Sequence, residues 1–257
     1  MTFLQRQGAD VSDDGDAKTW TSHATPGDGD AARRAFLRMV SHELRTPLNS
    51  IIGFADILHG QLYGPLGSPE YVEYAGIIRD SGARLLHLFN NVLELMRLEG
   101  GGGFAPAPEA VQPWLEEAIA RRREAAAVRQ IELRLRPLDA PVIALVDPKG
   151  LLTCLDHLIG NAIDFTAAGD SVEIAARREG RHVLISVYNR GPAPAPDDIE
   201  RLMQPFEQDG QVLNRSHDGA GLGWPIVRLT AQAMGGEFGV ATRTGEALRA
   251  VLRFPAA

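Results

Sequence analysis

Lysine is nearly missing from this chain. Of its 257 residues only Lys18 and Lys149 are lysines, and the positive charge comes almost wholly from arginine. The formal net charge is -7. A nucleic-acid footprint needs a basic face, so binding to nucleic acid is not expected. Cysteine is scarcer still: Cys154 stands alone, and no internal disulfide can form. It lies in the apolar run Leu151, Leu152, Leu155, Leu158, which reads as a buried structural thiol. No cluster has zinc-ligand spacing. No stretch approaches the roughly 18 consecutive apolar residues that span a bilayer. The first residues also lack the charged-then-apolar pattern of a signal peptide. A cytoplasmic protein without membrane insertion is the expectation. What remains is an ordinary globular composition, 44 % apolar, long enough for one or two domains.

Residues 1–30 are rich in Asp, Gly, Ser and Thr and offer little to bury, so a disordered tail is predicted. A helical pattern then begins. Leu37, Val40, Leu44, Leu48, Ile51, Ala55 and Leu58 recur every three or four residues. On a helix they fall within about 40° of one line, a narrow seam suited to a bundle. Pro47 interrupts the seam and predicts a bend near Glu43 to Arg45. The segment 61–69 carries Gly-Pro breakers and reads as a turn. Ser68 and Pro69 then open a second helix as cap and first residue. Its seam runs through Tyr71, Tyr74, Ile78, Leu85, Leu88, Val92 and Leu95 as far as Glu99. Gly100 to Gly103 make a hinge. A two-helix hairpin with so narrow a seam cannot close its own core, so residues 31–102 are expected to form a four-helix bundle as a homodimer.

Past the hinge the pattern changes. A helix is predicted from Pro108 to Arg129, and alternation marks strands in IELRLRP, APVIALV, SVEIAARRE, HVLISVYN, GEFGVATR and ALRAVLRF. Helices are predicted after Asp147, with Pro148 at the first position, and over GLGWPIVRLTAQAMGG. Residues 103–257 should therefore fold as an α/β sandwich, a mixed sheet with helices on one face.

On the first helix His42 lies about 160° from Leu44, and Thr46 and Asn49 share its outward side. By themselves three outward polar groups are a solvated face. The string Ser41-His42-Glu43-Leu44-Arg45-Thr46-Pro47-Leu48-Asn49, however, resembles the phosphoacceptor motif of the sensor histidine kinases. The following IIGFADIL and QLYGPLG are similar to the alphaproteobacterial cell-cycle group. The likeness runs on to residue 254, and because most sensor kinases carry a membrane or sensory segment, it implies a separate sensor protein as the source of the signal. It implies a protein histidine kinase that autophosphorylates His42 from ATP and Mg²⁺, then passes the phosphoryl group to an aspartate on a response regulator receiver domain. A neutral imidazole is a good nucleophile at cytoplasmic pH. Glu43 beside it can accept the proton of the other ring nitrogen. Thr46 matches the position that orients a hydrolytic water, which implies phosphatase activity as well.

The resemblance places the nucleotide pocket in three further segments. In HLIGNAIDFT, Asn161 falls on the Mg²⁺-binding asparagine, an oxygen donor of the kind that ion takes. Gly219-Ala220-Gly221-Leu222-Gly223 resembles the second glycine box, where amides and a helix N-terminus meet phosphate. Gln204 to Gln208 looks like the phenylalanine box. Residues 207–218 would then form a lid, from which Arg215 can reach the phosphates.

Three departures stand out. The first glycine box normally begins with an aspartate that accepts from the adenine amino group. Here it reads Asn189-Arg190-Gly191-Pro192-Ala193, which gives up a charge-assisted bond and implies about tenfold weaker binding. Asp164 stands where many members carry Lys or Arg, and repels ATP unless it helps to hold the metal. His157 replaces an asparagine one turn before Asn161. These changes keep open a second reading, a histidine phosphotransferase or phosphatase with a degenerate ATP domain. A third, an anti-sigma switch kinase sharing the ATP fold, is disfavoured by the complete phosphoacceptor motif.

Overall fold

The structure, a computed structural model, describes residues 43–44, 46–47, 49–51, 53–55, 57–58, 61–65, 67–99, 103–138, 140–208, 220–243 and 246–257. The expected tail at 1–30, His42, Arg45 at the expected bend, Arg215 and Gly219 lie outside these residues. The chain divides into two compact units, one holding Ala24–Glu94 and the other Leu95–Ala257.

In the first unit every described residue between 43 and 58 is helical, and this stretch is α1. A turn follows, with Gly64 and Gly67 at φ of 104° and 132°, where a side chain would be strained. Helix α2 then spans Pro69–Glu99. Ile51 of α1 faces Gly82 of α2, and Phe54 stacks on Tyr74 with ring centroids 5.2 Å apart. The hydroxyl of Tyr71 accepts from the Tyr63 amide at 3.3 Å. Contacts that descend along α2 as they climb α1 define an antiparallel hairpin. Its buried stripe includes Tyr71, Leu88 and Val92, as the seam predicts. A second apolar stripe of α2 does not turn inward. Leu86, Phe89, Leu93 and Met96, spaced three, four and three residues apart, remain between 48 % and 62 % exposed.

The second unit is built on a five-stranded sheet. Its strands are β2 (Glu132–Leu135), β4 (Ser171–Glu179), β5 (His182–Arg190), β7 (Ala247–Pro255) and β6 (Glu237–Arg243), in that spatial order. β2 runs parallel to β4 and every other pairing is antiparallel, so the sheet is mixed. A separate antiparallel pair joins β1 (Ala107–Ala110) to β3 (Ile143–Val146). Alternation decides which side is covered. Val172, Ile174, Val183, Ile185, Val187, Ala250, Leu252 and Phe254 are buried, whereas the residues between them include Glu173, Arg177, Tyr188, Arg249 and Arg253. The buried face meets α3 (Gln112–Val128), α4 (Pro148–Phe165) and α6 (Gly223–Ala233) through one apolar core. A 3-10 turn at Pro196–Asp198 and the short α5 (Ile199–Leu202) follow β5.

Local signals place α4. Asp147 caps it, its carboxylate accepting from the Lys149 amide at 2.9 Å and the Gly150 amide at 3.1 Å, and Pro148 fits the first turn. Residues 108–110 depart from expectation. They pair as β1 instead of opening a helix, and α3 begins only at Gln112. Pairing with β3, more than thirty residues away, overrides the helical reading.

Candidate functional site

The packing of α4 on α6 fixes the site. A Cβ on Gly150 would press on Met234, at the far end of α6. Cys154 sits one turn on, its thiol 3.8 Å from the Val227 carbonyl in mid-helix. Next comes His157, whose Nδ1 is 3.8 Å from where a Gly223 Cβ would stand. Residues 150, 154 and 157 thus meet 234, 227 and 223 in turn, so the helices run antiparallel. Asn161 continues the same stripe. Four residues at 1.5 Å each carry it about 6 Å past Gly223, the first residue of α6.

Among the described residues that end of α6 has no side-chain cap: its cap position is the buried Leu222, and Pro225 contributes no amide. The amides of Gly223 and Trp224 and the positive end of the helix dipole are left for an anion. The backbone leading in is built for close approach. Gly221 has φ of 66°, and a side chain there would strike the Phe206 and Glu207 backbone. The Phe206 amide donates to the Gly221 carbonyl at 3.1 Å, and Phe206 itself has φ of 69°. The phenylalanine-box and second-glycine-box segments are therefore joined at their bases, on either side of residues 209–219.

The opposite wall comes from the end of β5. Asn189 is 2 % exposed, and its Nδ2 donates to the Arg190 carbonyl at 3.3 Å. Gly191 has φ of 142°, and its amide donates to the Glu246 carbonyl at 2.8 Å. A Cβ at Gly191 would collide with the Phe165 carbonyl at the end of α4. Gly191 therefore lies against Phe165, Gly223 lies against His157, and Asn161 is midway between on α4. Ala193 and Pro194, which follow, are buried.

Asp164 has a partner that the sequence does not show. Its carboxylate accepts from Arg129 at 2.8 Å, and the same guanidinium nitrogen donates to the Ile163 carbonyl at 3.1 Å. This pair ties the last turn of α4 to the end of α3 and offsets the acidic charge there. Thirty-five residues separate the two, and no local pattern links them. On α1, Thr46 and Asn49 are exposed and Glu43 half-buried. The Ser50 hydroxyl donates to the Thr46 carbonyl at 3.2 Å.

Among the described residues no group of three or more His, Cys, Asp or Glu is placed to hold a metal ion. The donors present still suit Mg²⁺ carried with a nucleotide. One amide oxygen, that of Asn161, stands on the α4 stripe that runs past the start of α6, and the ion's other positions would go to phosphate oxygens and water.

Residues 32–101 match the family described as His Kinase A (phospho-acceptor) domain. Residues 146–257 match the histidine kinase-, DNA gyrase B- and HSP90-like ATPases. Histidine protein kinase DivJ of Caulobacter vibrioides is 38 % identical over 88 % of this chain and 38 % of its own length. Among solved structures, full-length ShkA in complex with AMPPNP aligns with a TM-score of 0.62 at 30 % identity, over 87 % of this chain and 46 % of ShkA. Histidine kinase ThkA in complex with response regulator protein TrrA aligns with a TM-score of 0.70 at 20 % identity, over 90 % of this chain and 62 % of that chain, a likeness of fold. The chain spans less than half the length of DivJ and ShkA.

Proposed function

By homology this chain belongs to the histidine kinases, and from that premise we propose that it is an ATP-dependent protein histidine autokinase whose phosphoryl carrier is His42. The observation that carries this reading is the placing of Asn161 just beyond the uncapped start of α6, with Gly191 and Gly221 cleared for close approach. Residues 31–102 are assigned to dimerisation and phosphotransfer, and 103–257 to nucleotide binding.

In this reading the Gly223 and Trp224 amides bind phosphate oxygens. Asn161 holds Mg²⁺, which when bound neutralises phosphate charge. The Asn189 side chain faces the adenine amino group and accepts from it through Oδ1. Glu43 accepts the proton of one imidazole nitrogen of His42 and keeps the other nitrogen's lone pair free. That lone pair forms the N–P bond to the γ-phosphorus, and the P–O bond to the β-phosphate breaks with its electrons leaving on ADP. A receiver-domain aspartate then takes the phosphoryl group. Thr46, exposed within the motif, orients the water that later hydrolyses the phosphoryl group on the regulator. The exposed stripe Leu86, Phe89, Leu93 and Met96 supports a homodimer.

The test is incubation with γ-labelled ATP and Mg²⁺. Acid-labile label on the wild type, lost in His42→Ala and in Asn161→Ala, is the expected result. No label together with no ATP binding would sink the autokinase reading. One observation favours a second reading, phosphotransfer or phosphatase action with a weak ATP domain. The Asn189 amide is spent on the neighbouring main chain, and the loop after it buries Ala193 and Pro194. In that case His42 accepts label from a phosphorylated regulator but not from ATP.

A further inference from the structure

We infer that the open face of the five-stranded sheet binds the chain's own acidic run, residues 10–16, through an arginine cluster centred on Arg249. This surface lies on the side of the sheet away from α3, α4 and α6. The nucleotide-site reading plays no part in it.

Strand register lays the face out. Ala175 stands opposite Ser186, Ser186 opposite Val251, and Val251 opposite Gly239, so a trough of small side chains crosses four strands. Arg177 and Arg249 flank it, each two residues along its own strand and therefore on the same side. The outward glutamates are already engaged. Glu132 accepts from Arg134, Glu173 from Arg136 at 2.7 Å and Glu237 from Arg253 at 2.9 Å. Arg177 keeps only a 3.8 Å contact with Glu179. Among the described residues Arg190 and Arg249 have no acidic partner. Arg249 is half-buried, its guanidinium lies 5.3 Å from the Tyr188 ring centroid, and its Nε is buried without a hydrogen-bond partner. Burial, and then repulsion from Arg177 and Arg136, hold that guanidinium below its ordinary value, against Tyr188 and Glu173. A cation so placed lacks one anion.

The chain carries the complement. Residues 10–16, which lie outside the described residues, read Asp10-Val11-Ser12-Asp13-Asp14-Gly15-Asp16 and hold four aspartates and no basic residue. As extended chain they span about 20 Å, against roughly 19 Å for five strands side by side. Residues 17–30 separate them from the predicted first helix and can extend to roughly 46 Å, so reach does not limit the docking. Exposed ion pairs are weak singly. A tether that holds the partner at an effective concentration in the millimolar range makes a few of them sufficient. A net charge of -7 over the chain disfavours a free polyanion such as nucleic acid as the occupant.

The test is photo-cross-linking in the full chain. Gly15→Cys carries a benzophenone maleimide into the acidic run, while the buried Cys154 stays unlabelled. Irradiation at low salt, followed by mapping with mass spectrometry, should place cross-links on outward residues of β4, β5 and β7, Ser186 and Tyr188 among them. Their yield should fall about tenfold in about 0.5 M salt, where the Debye length is about 4 Å. Asp10→Asn, Asp13→Asn, Asp14→Asn and Asp16→Asn together should lower it by a similar factor. Arg249→Gln should lower it about two- to fivefold, and so should Arg177→Gln, whose side chain is exposed and whose loss spares the fold. A thermal melt shows whether Arg249→Gln has folded, and Arg177→Gln decides if it has not. Cross-links confined to the helical side of the sheet or to the hairpin would overturn the docking. So would a yield indifferent to salt and to the arginine variants. Outer-face cross-links that survive the four Asp→Asn changes would mark an apolar contact and overturn the ionic one.

Discussion

Asn189 is where a single side chain weighs most. Buried at 2 % exposure, it spends its amide on the Arg190 carbonyl. An aspartate there could not donate, and its carboxylate would be held out of water without a partner while the pocket is empty. Asn189→Asp should therefore lower the stability of the nucleotide-free protein by about 1–3 kcal/mol. With ATP bound, the adenine amino group meets the new carboxylate, and affinity should rise by up to about tenfold. Thermal melting with and without nucleotide, together with calorimetric titration, measures both effects. A melt that drops without any gain in affinity would refute the idea that the lost charge weakens this site. Asp164 shows the reverse. From sequence its charge looks hostile to phosphate, yet Arg129 takes it up at 2.8 Å.

At the level of elements α2 is the most informative. One stripe of it, with Tyr71, Leu88 and Val92, closes inward. The other, with Leu86, Phe89, Leu93 and Met96, has no cover from this chain's described residues. Burying an exposed side chain of this size is worth about 1.5–3 kcal/mol at most, so four of them on each protomer can hold a dimer together. Phe89→Glu would set a charge into that seam. The dimer dissociation constant from sedimentation equilibrium should rise at least about 100-fold. An unchanged constant would move the dimer contact elsewhere. Periodicity made the inward seam readable, as it did the strands β4 to β7 and the cap of α4 by Asp147. It did not separate two seams on one helix, because both obey the same three-and-four spacing. β1 was hidden for another reason. Ala107–Ala110 has no β-branched residue and reads as the start of a helix until β3 pairs with it. Asn161, Gly191 and Gly221–Gly223 could be singled out by motif. That Gly223 lies against His157 and Gly191 against Phe165, with Asn161 between them on α4, depends on the antiparallel crossing of α4 and α6, which no local sequence pattern states.

For the whole molecule the division into two units has a thermodynamic signature. If the hairpin pairs as proposed, it loses stability on dilution, because dissociation and unfolding are linked. An ATP-binding unit gains stability only from its ligand. At a nucleotide concentration one hundred times the dissociation constant the gain is about 2.7 kcal/mol, which for a unit of this size raises its midpoint by about 5–10 °C. Scanning calorimetry should therefore show two transitions. One falls by a few degrees on tenfold dilution and falls further in Phe89→Glu, with no response to Mg²⁺ and AMPPNP. The other rises with Mg²⁺ and AMPPNP, ignores dilution, and loses its rise in Asn161→Ala. A single transition that answers to both dilution and nucleotide would mean that the units unfold as one body.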